Sequence, residues 1–233
     1  MIMPMTKLSI TASDSEVRYG LVLITAVYLC IPSLLAELNS CLGLPMDTIT
    51  LNFVYHIVNL VGSIAVFHTL LKHTFLQMQK SILHVLLYAT IGLILYQVVS
   101  ELFSWIILSL KPDFTNLNDN NIAMQLHSRW IPVTISTVLM APITEELLFR
   151  GVLFGRLYNK YPVSAYILSV CTFSLVHILG YLTKGDIVTL VLSFLQYLPA
   201  GVLLAWVYVK TDSIFTPILL HIMINAIGIY IMR

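Results

Sequence analysis

Charge is what this chain has least of. Its 233 residues include 12 Lys or Arg and 11 Asp or Glu, 10% of the whole, against about 25% in soluble domains. A net charge of +1 leaves no basic surface for nucleic acid. Cysteine is scarce as well: Cys30, Cys41 and Cys171 have no metal-ligand spacing and form no disulfide framework. A Walker loop is missing, and so are H-E-x-x-H, G-x-S-x-G and G-x-G-D. The pair Gly185–Asp186 follows Thr183 and Lys184 and marks a loop. These absences set aside nucleotide hydrolysis and several common hydrolase designs. No internal repeat is visible, which counts against a transporter or proton relay.

What the chain has in abundance is apolar side chains, 58% of its residues, with a mean hydropathy of +0.91. A bilayer core requires ~20 apolar residues per helix. Seven runs qualify: about Tyr19–Leu38, Ile49–Leu71, Ile82–Leu110, Trp130–Tyr158, Val163–Leu182, Ile187–Val209 and Ile214–Met232. The fold class is therefore all-α, a polytopic transmembrane bundle of about seven helices. The third and fourth runs exceed one crossing and are expected to tilt or kink, the fourth at Pro132 and Pro142. Pro217 falls near the start of the seventh, where a missing N–H costs little. The first 17 residues are polar. The run after Arg18 is longer than a signal-peptide core and has no convincing small-x-small cleavage site, so a retained first helix is expected.

With the N-terminus inside, the inner connections carry Lys7, Arg18, Lys72, Lys80, Arg156, Lys160 and Lys210, and the outer ones Lys111, Arg129, Lys184 and Arg233. Seven against four favours N-terminus in, C-terminus out. The polar segment Lys111–Arg129 is read as an outward loop. The chain divides by content into residues 1–129, N-terminal membrane helices plus that loop, and residues 130–233, a functional helical core of the same bundle.

The polar residues of the core are concentrated. Ala141–Gly151 reads A-P-I-T-E-E-L-L-F-R-G, with Glu145, Glu146 and Arg150 inside an apolar run. Each such charge costs a contested ~2.5–3.5 kcal/mol on insertion scales, which makes it a functional hypothesis; a structural ion pair is the bland alternative. A helix turns ~100° per residue, so the two glutamates point apart. Glu146 and Arg150, four apart in the favourable order, form a held pair, and Glu145 is left to face something else. Its candidate partners are His177, one turn after Phe173, and His221, one turn before Asn225. A lone histidine in a helix is usually structural, but three polar groups on three helices point to one cavity. Glu145 with His177 suits activation of a water. His221 and Asn225 suit hydrogen bonding to an oxyanion. The same glutamate and two histidines also form a zinc-type donor set, so the metal question stays open at this point.

E-E-x-x-x-R at Glu145–Arg150, F-x-x-x-H at Phe173–His177 and H-x-x-x-N at His221–Asn225, in that order on separate helices, resemble the CAAX-protease and bacteriocin-processing (CPBP) family of intramembrane proteases. That family includes the type II CAAX prenyl endopeptidases. The resemblance covers roughly Trp130–Tyr230. It implies a helical bundle with an intramembrane active-site cavity, an endopeptidase that is either glutamate-dependent or metal-dependent, and substrates that are membrane-associated peptides or protein tails. It implies Glu145 and His177 as water activators, His221 and Asn225 as oxyanion stabilisers, and Glu146, Arg150 and Phe173 in support. If the enzyme is metal-dependent, Glu145, His177 and His221 would hold Zn2+. In eukaryotes the substrates of this family include prenylated C-terminal tails; the short compact form points instead to a bacterial cell membrane, where the resemblance implies bacteriocin or pheromone processing, or self-immunity. The competing reading is a regulator or scaffold that binds a membrane partner such as a sensor kinase without cutting it.

The remaining polar residues have plainer readings. Glu101 is structural, Glu37 reaches the interface, and His56 and His68 pack or hydrogen-bond. His73, His84 and His127 are solvated. Tyr19, Trp130, Tyr158, Tyr161 and Tyr230 belong to an interfacial belt. Gln196, Tyr197 and Pro199 interrupt the sixth run and point weakly to a widened cavity.

Overall fold

The computed structural model describes residues 7–233; the part of the polar N-terminal segment at residues 1–6 lies outside the described residues. All regular structure in the described residues is helical. Seven helices are long and apolar enough to cross a membrane: α1 (Asp14–Cys41), α2 (Thr48–Val66), α4 (Ile82–Leu110), α6 (Trp130–Tyr158), α7 (Pro162–Leu179), α8 (Ile187–Thr211) and α9 (Phe215–Met232). Two shorter helices lie between them, α3 (His68–Lys80) and α5 (Leu117–Ser128).

Both short helices depart from the sequence reading. The second apolar run does not continue to Leu71. The chain leaves helical geometry at Phe67 (φ −100°, ψ 22°) and restarts as α3. The polar stretch within Lys111–Arg129 is a helix. Asn116 accepts hydrogen bonds from the backbone N–H of Asn118 and Asp119, so it caps α5. Asparagine and aspartate favour both loops and helix starts, and composition alone does not separate the two.

Proline shapes the long helices by a shared device. Pro32 and Pro142 each lack an N–H and crowd the carbonyl four residues back. Each follows a wide π-helical turn, Ala26–Cys30 in α1 and Ser136–Met140 in α6, which takes up the mismatch. Pro142 thus marks a local distortion, as expected. A longer π-helical stretch, Leu147–Phe154, contains Arg150. Ser169 Oγ of α7 donates to the Phe149 carbonyl there at 3.2 Å.

The two ends of the bundle are tied differently. At one end, Asn159 Oδ1 accepts from the Leu8 N–H at 2.9 Å, Asp212 Oδ1 accepts from the Ser9 N–H at 2.9 Å, and Arg156 pairs with Asp14. At the other, Arg129 pairs with Asp47 at 2.6 Å and Lys111 with Asp186 at 3.0 Å. The connections alternate between these ends, as seven crossings require. The first helix is seated close to the core: a Cβ on Gly20 would lie 2.5 Å from Val152 Cγ2 and 2.7 Å from Phe67 Cζ. Leu147, Leu148, Phe154, Phe67 and Leu70 form the core there. Large apolar side chains cover the outside, such as Leu83, Ile187 and Tyr230, as a lipid-facing surface demands. Tyr158, expected in the aromatic belt, is instead buried, stacked on Phe154 at 5.0 Å; the π-helical stretch before it is buried at every residue but Leu153.

Glu16 joins two helix starts. Its carboxylate accepts from the Ser13 N–H at 2.8 Å, closing a capping box on α1, and from the Leu70 N–H at 2.8 Å in the first turn of α3. A negative group is favourable at both positive helix ends. Glu16→Ala strands a buried N–H and removes two charge-assisted bonds, a loss of about 2–4 kcal/mol. A lower apparent unfolding temperature of the detergent-solubilised protein is expected, with Glu16→Gln falling between the two; an unchanged transition in Glu16→Ala would show that these caps do not hold the N-terminal end.

Candidate active site

The carboxylates of α6 do point apart. Glu146 and Arg150 are both fully buried, while Glu145 is 16% exposed. Arg150 Nη1 donates to Glu146 Oε1 at 3.1 Å, and Nη2 donates to the Gly201 carbonyl of α8 at 3.1 Å. Nε lies 3.1 Å from Oε2 as an ion-pair contact without hydrogen-bond alignment. The guanidinium also sits 4.7 Å from the centroid of the Phe173 ring, a cation–π contact that gains strength where water is excluded. Arg150 therefore ties α6 to α7 and α8 at once.

Glu146 has a partner that the sequence reading did not assign. His221 Nδ1 of α9 lies 2.8 Å from Glu146 Oε1. In α7, His177 Nδ1 lies 2.7 Å from the Phe173 carbonyl. A carbonyl and a carboxylate only accept, so each Nδ1 carries its proton, and each Nε2 is directed elsewhere. Both Nε2 atoms lie 3.9 Å from Glu145 Oε2, which is buried and has no hydrogen-bond partner. That distance is too long for a direct hydrogen bond and suits one bridging oxygen. Phe173 packs under both rings, with centroids 4.6 Å from His177 and 5.6 Å from His221.

Asn225 lines the same cavity as Glu145, His177 and His221. One of its N–H groups is committed, since Nδ2 donates to the Thr137 carbonyl at 2.8 Å. The four residues that the sequence singled out thus meet around one cavity of about 380 Å³. In the described residues no group of three or more His, Cys, Asp or Glu side chains is arranged to hold a metal ion. Glu145, His177 and His221 have the chemistry of zinc ligands but not, as placed, the spacing.

Gln196 and Tyr197, read from the sequence only as interruptions of the sixth run near a widened cavity, do line it, and their partners were not foreseen. The Tyr197 ring of α8 stacks on His177 at 4.2 Å, and its hydroxyl donates to Asp119 Oδ1 of α5 at 2.9 Å while accepting from Asn118 Nδ2 at 3.1 Å. Gln196 Oε1 accepts from Asn116 Nδ2 at 2.8 Å. The sequence signal existed, because Gln196–Tyr197 interrupts an apolar helix, but its partner lay in a segment read as a loop. Asp119 is mostly enclosed, and burial raises its carboxyl above the ordinary range, offset in part by the Tyr197 hydroxyl and by the field of His177. His56, read as a packing residue, lies against Tyr55 and lines the cavity wall.

Comparison with known proteins gives a consistent picture. Residues 127–227 match the family described as type II CAAX prenyl endopeptidase Rce1-like. The chain is 28% identical over 142 residues to "UPF0177 protein YbdI" of Lactococcus lactis subsp. lactis (strain IL1403), covering 61% of this chain and 71% of that one. It is 33% identical over 93 residues to "Putative membrane peptidase YdiL" of Bacillus subtilis (strain 168), covering 40% of this chain and 34% of that one. A second Lactococcus lactis protein, "UPF0177 protein YxdF", is 32% identical over 90 residues, 39% of this chain and 44% of its own length. The chain thus spans less than half the length of two of these three relatives. No solved structure matches. The matched residues hold all three motifs and every side chain placed around Glu145 by α6, α7 and α9, so it is the site-bearing part of this integral membrane protein that is similar to the Rce1-like type II CAAX prenyl endopeptidases.

Proposed function

We propose that the chain is an intramembrane endopeptidase that hydrolyses peptide bonds of membrane-associated peptides or protein tails. The observation that carries this reading is the placement of Glu145 Oε2 at 3.9 Å from both His177 Nε2 and His221 Nε2. The family of residues 127–227 and the printed name of the Bacillus subtilis relative support it.

The chemistry follows from counting protons. A water bridging the three atoms has two protons to donate and faces three acceptors, so one of the three must carry a proton of its own. His221 is the residue for this, because Glu146 Oε1 lies behind its Nδ1. Glu145 then takes a proton from the water while His177 orients it, and the water oxygen attacks the substrate carbonyl. His221 Nε2–H and the uncommitted Asn225 N–H stabilise the tetrahedral oxyanion. The proton held by Glu145 passes to the leaving amine. Glu145, His177 and His221 have the donor chemistry for Zn2+, which would polarise the carbonyl and acidify bound water, but would have to move from their present spacing to hold it. We orient the N-terminus to the inside and place the chain in a bacterial cell membrane, with bacteriocin or pheromone maturation, or self-immunity, as its setting.

Glu145→Ala and His177→Ala are expected to lower kcat/KM by about 10²–10⁴-fold and His221→Ala by about 10²–10³-fold, read on quenched fluorescent peptides with protein in liposomes. Glu145→Ala should keep its thermal transition. Cleavage at the wild-type rate in all three variants would leave a partner-binding scaffold as the better account. Elemental analysis of active protein, with and without chelator, decides whether zinc takes part.

Arg150→Ala is expected to damage fold as well as activity. It leaves Glu146 buried with only His221 beside it, and breaking a buried pair costs about 3–5 kcal/mol. A large drop in apparent unfolding temperature is the expected readout; a stable but inactive Arg150→Ala would place Arg150 in the chemistry instead.

A further inference from the structure

The two histidines of the site are both bonded from behind but differ in what holds them. His221 has a carboxylate there, with Nδ1 2.8 Å from Glu146 Oε1. His177 has only the carbonyl of Phe173, one turn back on its own helix, at 2.7 Å. The His177 side chain is also the more open of the two, 17% exposed against 5%. The χ2 torsion of histidine is broad. A bond to one ring atom therefore does not set the plane that aims Nε2.

Contact on the ring faces can set that plane. Phe173 lies 4.6 Å from His177 but inclined at 54°. Tyr197 of α8 lies nearer, at 4.2 Å, and nearer to parallel, at 29°. Its hydroxyl is anchored in turn. It donates to Asp119 Oδ1 at 2.9 Å and accepts from Asn118 Nδ2 at 3.1 Å. Both partners stand in the first turn of α5, and the cap residue Asn116 reaches Gln196, the neighbour of Tyr197, at 2.8 Å. Three side chains at one helix start thus converge on two adjacent residues of α8. A tie between α5 and α8 could end on any side chain along their contact. This one ends on the ring that covers His177. Asp119 lies outside the matched residues 127–227, and Tyr197 belongs to none of the three motifs.

We infer that Tyr197 is a positioning residue for His177 and that Asp119 acts through it. The Asp119 carboxyl holds the hydroxyl, the Tyr197 ring holds the imidazole plane, and Nε2 stays aimed at the point it shares with Glu145 Oε2. This rests on the endopeptidase reading of the same site. Misplacing a reacting group by about 1 Å costs on the order of 100-fold in rate, so a loosened plane registers in kcat.

The test follows cleavage of quenched fluorescent peptides by the full chain in liposomes. Alongside it, nuclear magnetic resonance follows the full chain labelled with carbon-13 in its histidine rings, in detergent micelles. The His177 signal is identified by its loss in His177→Ala. Tyr197→Leu is expected to lower kcat by about 10–100-fold with KM changed less than about threefold. Tyr197→Phe keeps the ring and loses the hydroxyl. It and Asp119→Ala are each expected to lose about 3–10-fold, and the double variant no more than either alone. Asp119→Asn keeps an acceptor and is expected to rescue the rate. In a His177→Ala background none of these changes should lower the residual kcat further, whereas a mere lock between helices would lower it in both backgrounds. The His177 signal is expected to move in Tyr197→Leu, Tyr197→Phe and Asp119→Ala and to return in Asp119→Asn. Should Asp119→Ala fail to fold, Tyr197→Phe removes the same bond. A His177 signal unmoved by Tyr197→Phe, or additive losses in the double variant, would overturn the inference. A signal that moves as described in a protein that cuts no peptide would sustain the positioning and count instead against the endopeptidase reading.

Discussion

The rest of the site depends on a buried chain of contacts, Gly201 carbonyl to Arg150 to Glu146 to His221. Its first charge is completely enclosed, so it persists only because every neighbour is a partner. Arg150 spends its fork on a carboxylate and a backbone oxygen and its face on Phe173. Those contacts draw α6, α7 and α8 together, and Glu146 carries the link on to α9. The helices that hold Glu145, His177 and His221 are therefore fixed relative to one another by a structural ion pair beside the cavity.

This arrangement divides two adjacent glutamates between two tasks. Glu146 is spent entirely on partners within the bundle. Glu145, one residue earlier and about 100° around the helix, faces a cavity with its Oε2 unpaired. The two histidines are set in the same way, with Nδ1 fixed from behind and Nε2 turned inward. Orientation from behind is how proteins hold an imidazole in a chosen tautomer.

The cavity walls also join helices. Asp119, Tyr197 and Asn118 hold α5 against α8 next to His177. The same hydrogen-bonded group lines the cavity. A helix outside the membrane spans thereby contributes wall to a cavity between them.

Much of this was legible in the chain alone. The seven spans follow from hydropathy, because a bilayer leaves apolar length as nearly the only way through. Helical phase separated Glu145 from Glu146, and spacing paired Glu146 with Arg150, since both are local properties of one helix. Composition did not reveal that Leu117–Ser128 is helical, because Asn116 serves equally as a loop residue or a cap. Nor did it place Tyr158 in the core. Only the tertiary structure decided that Glu146 faces His221, that both Nε2 atoms flank Glu145, and that Tyr197 stacks on His177 while bonded to Asp119. Those contacts join residues from 20 to 78 positions apart, on different helices. No local periodicity encodes them; the packing of α5 to α9 does.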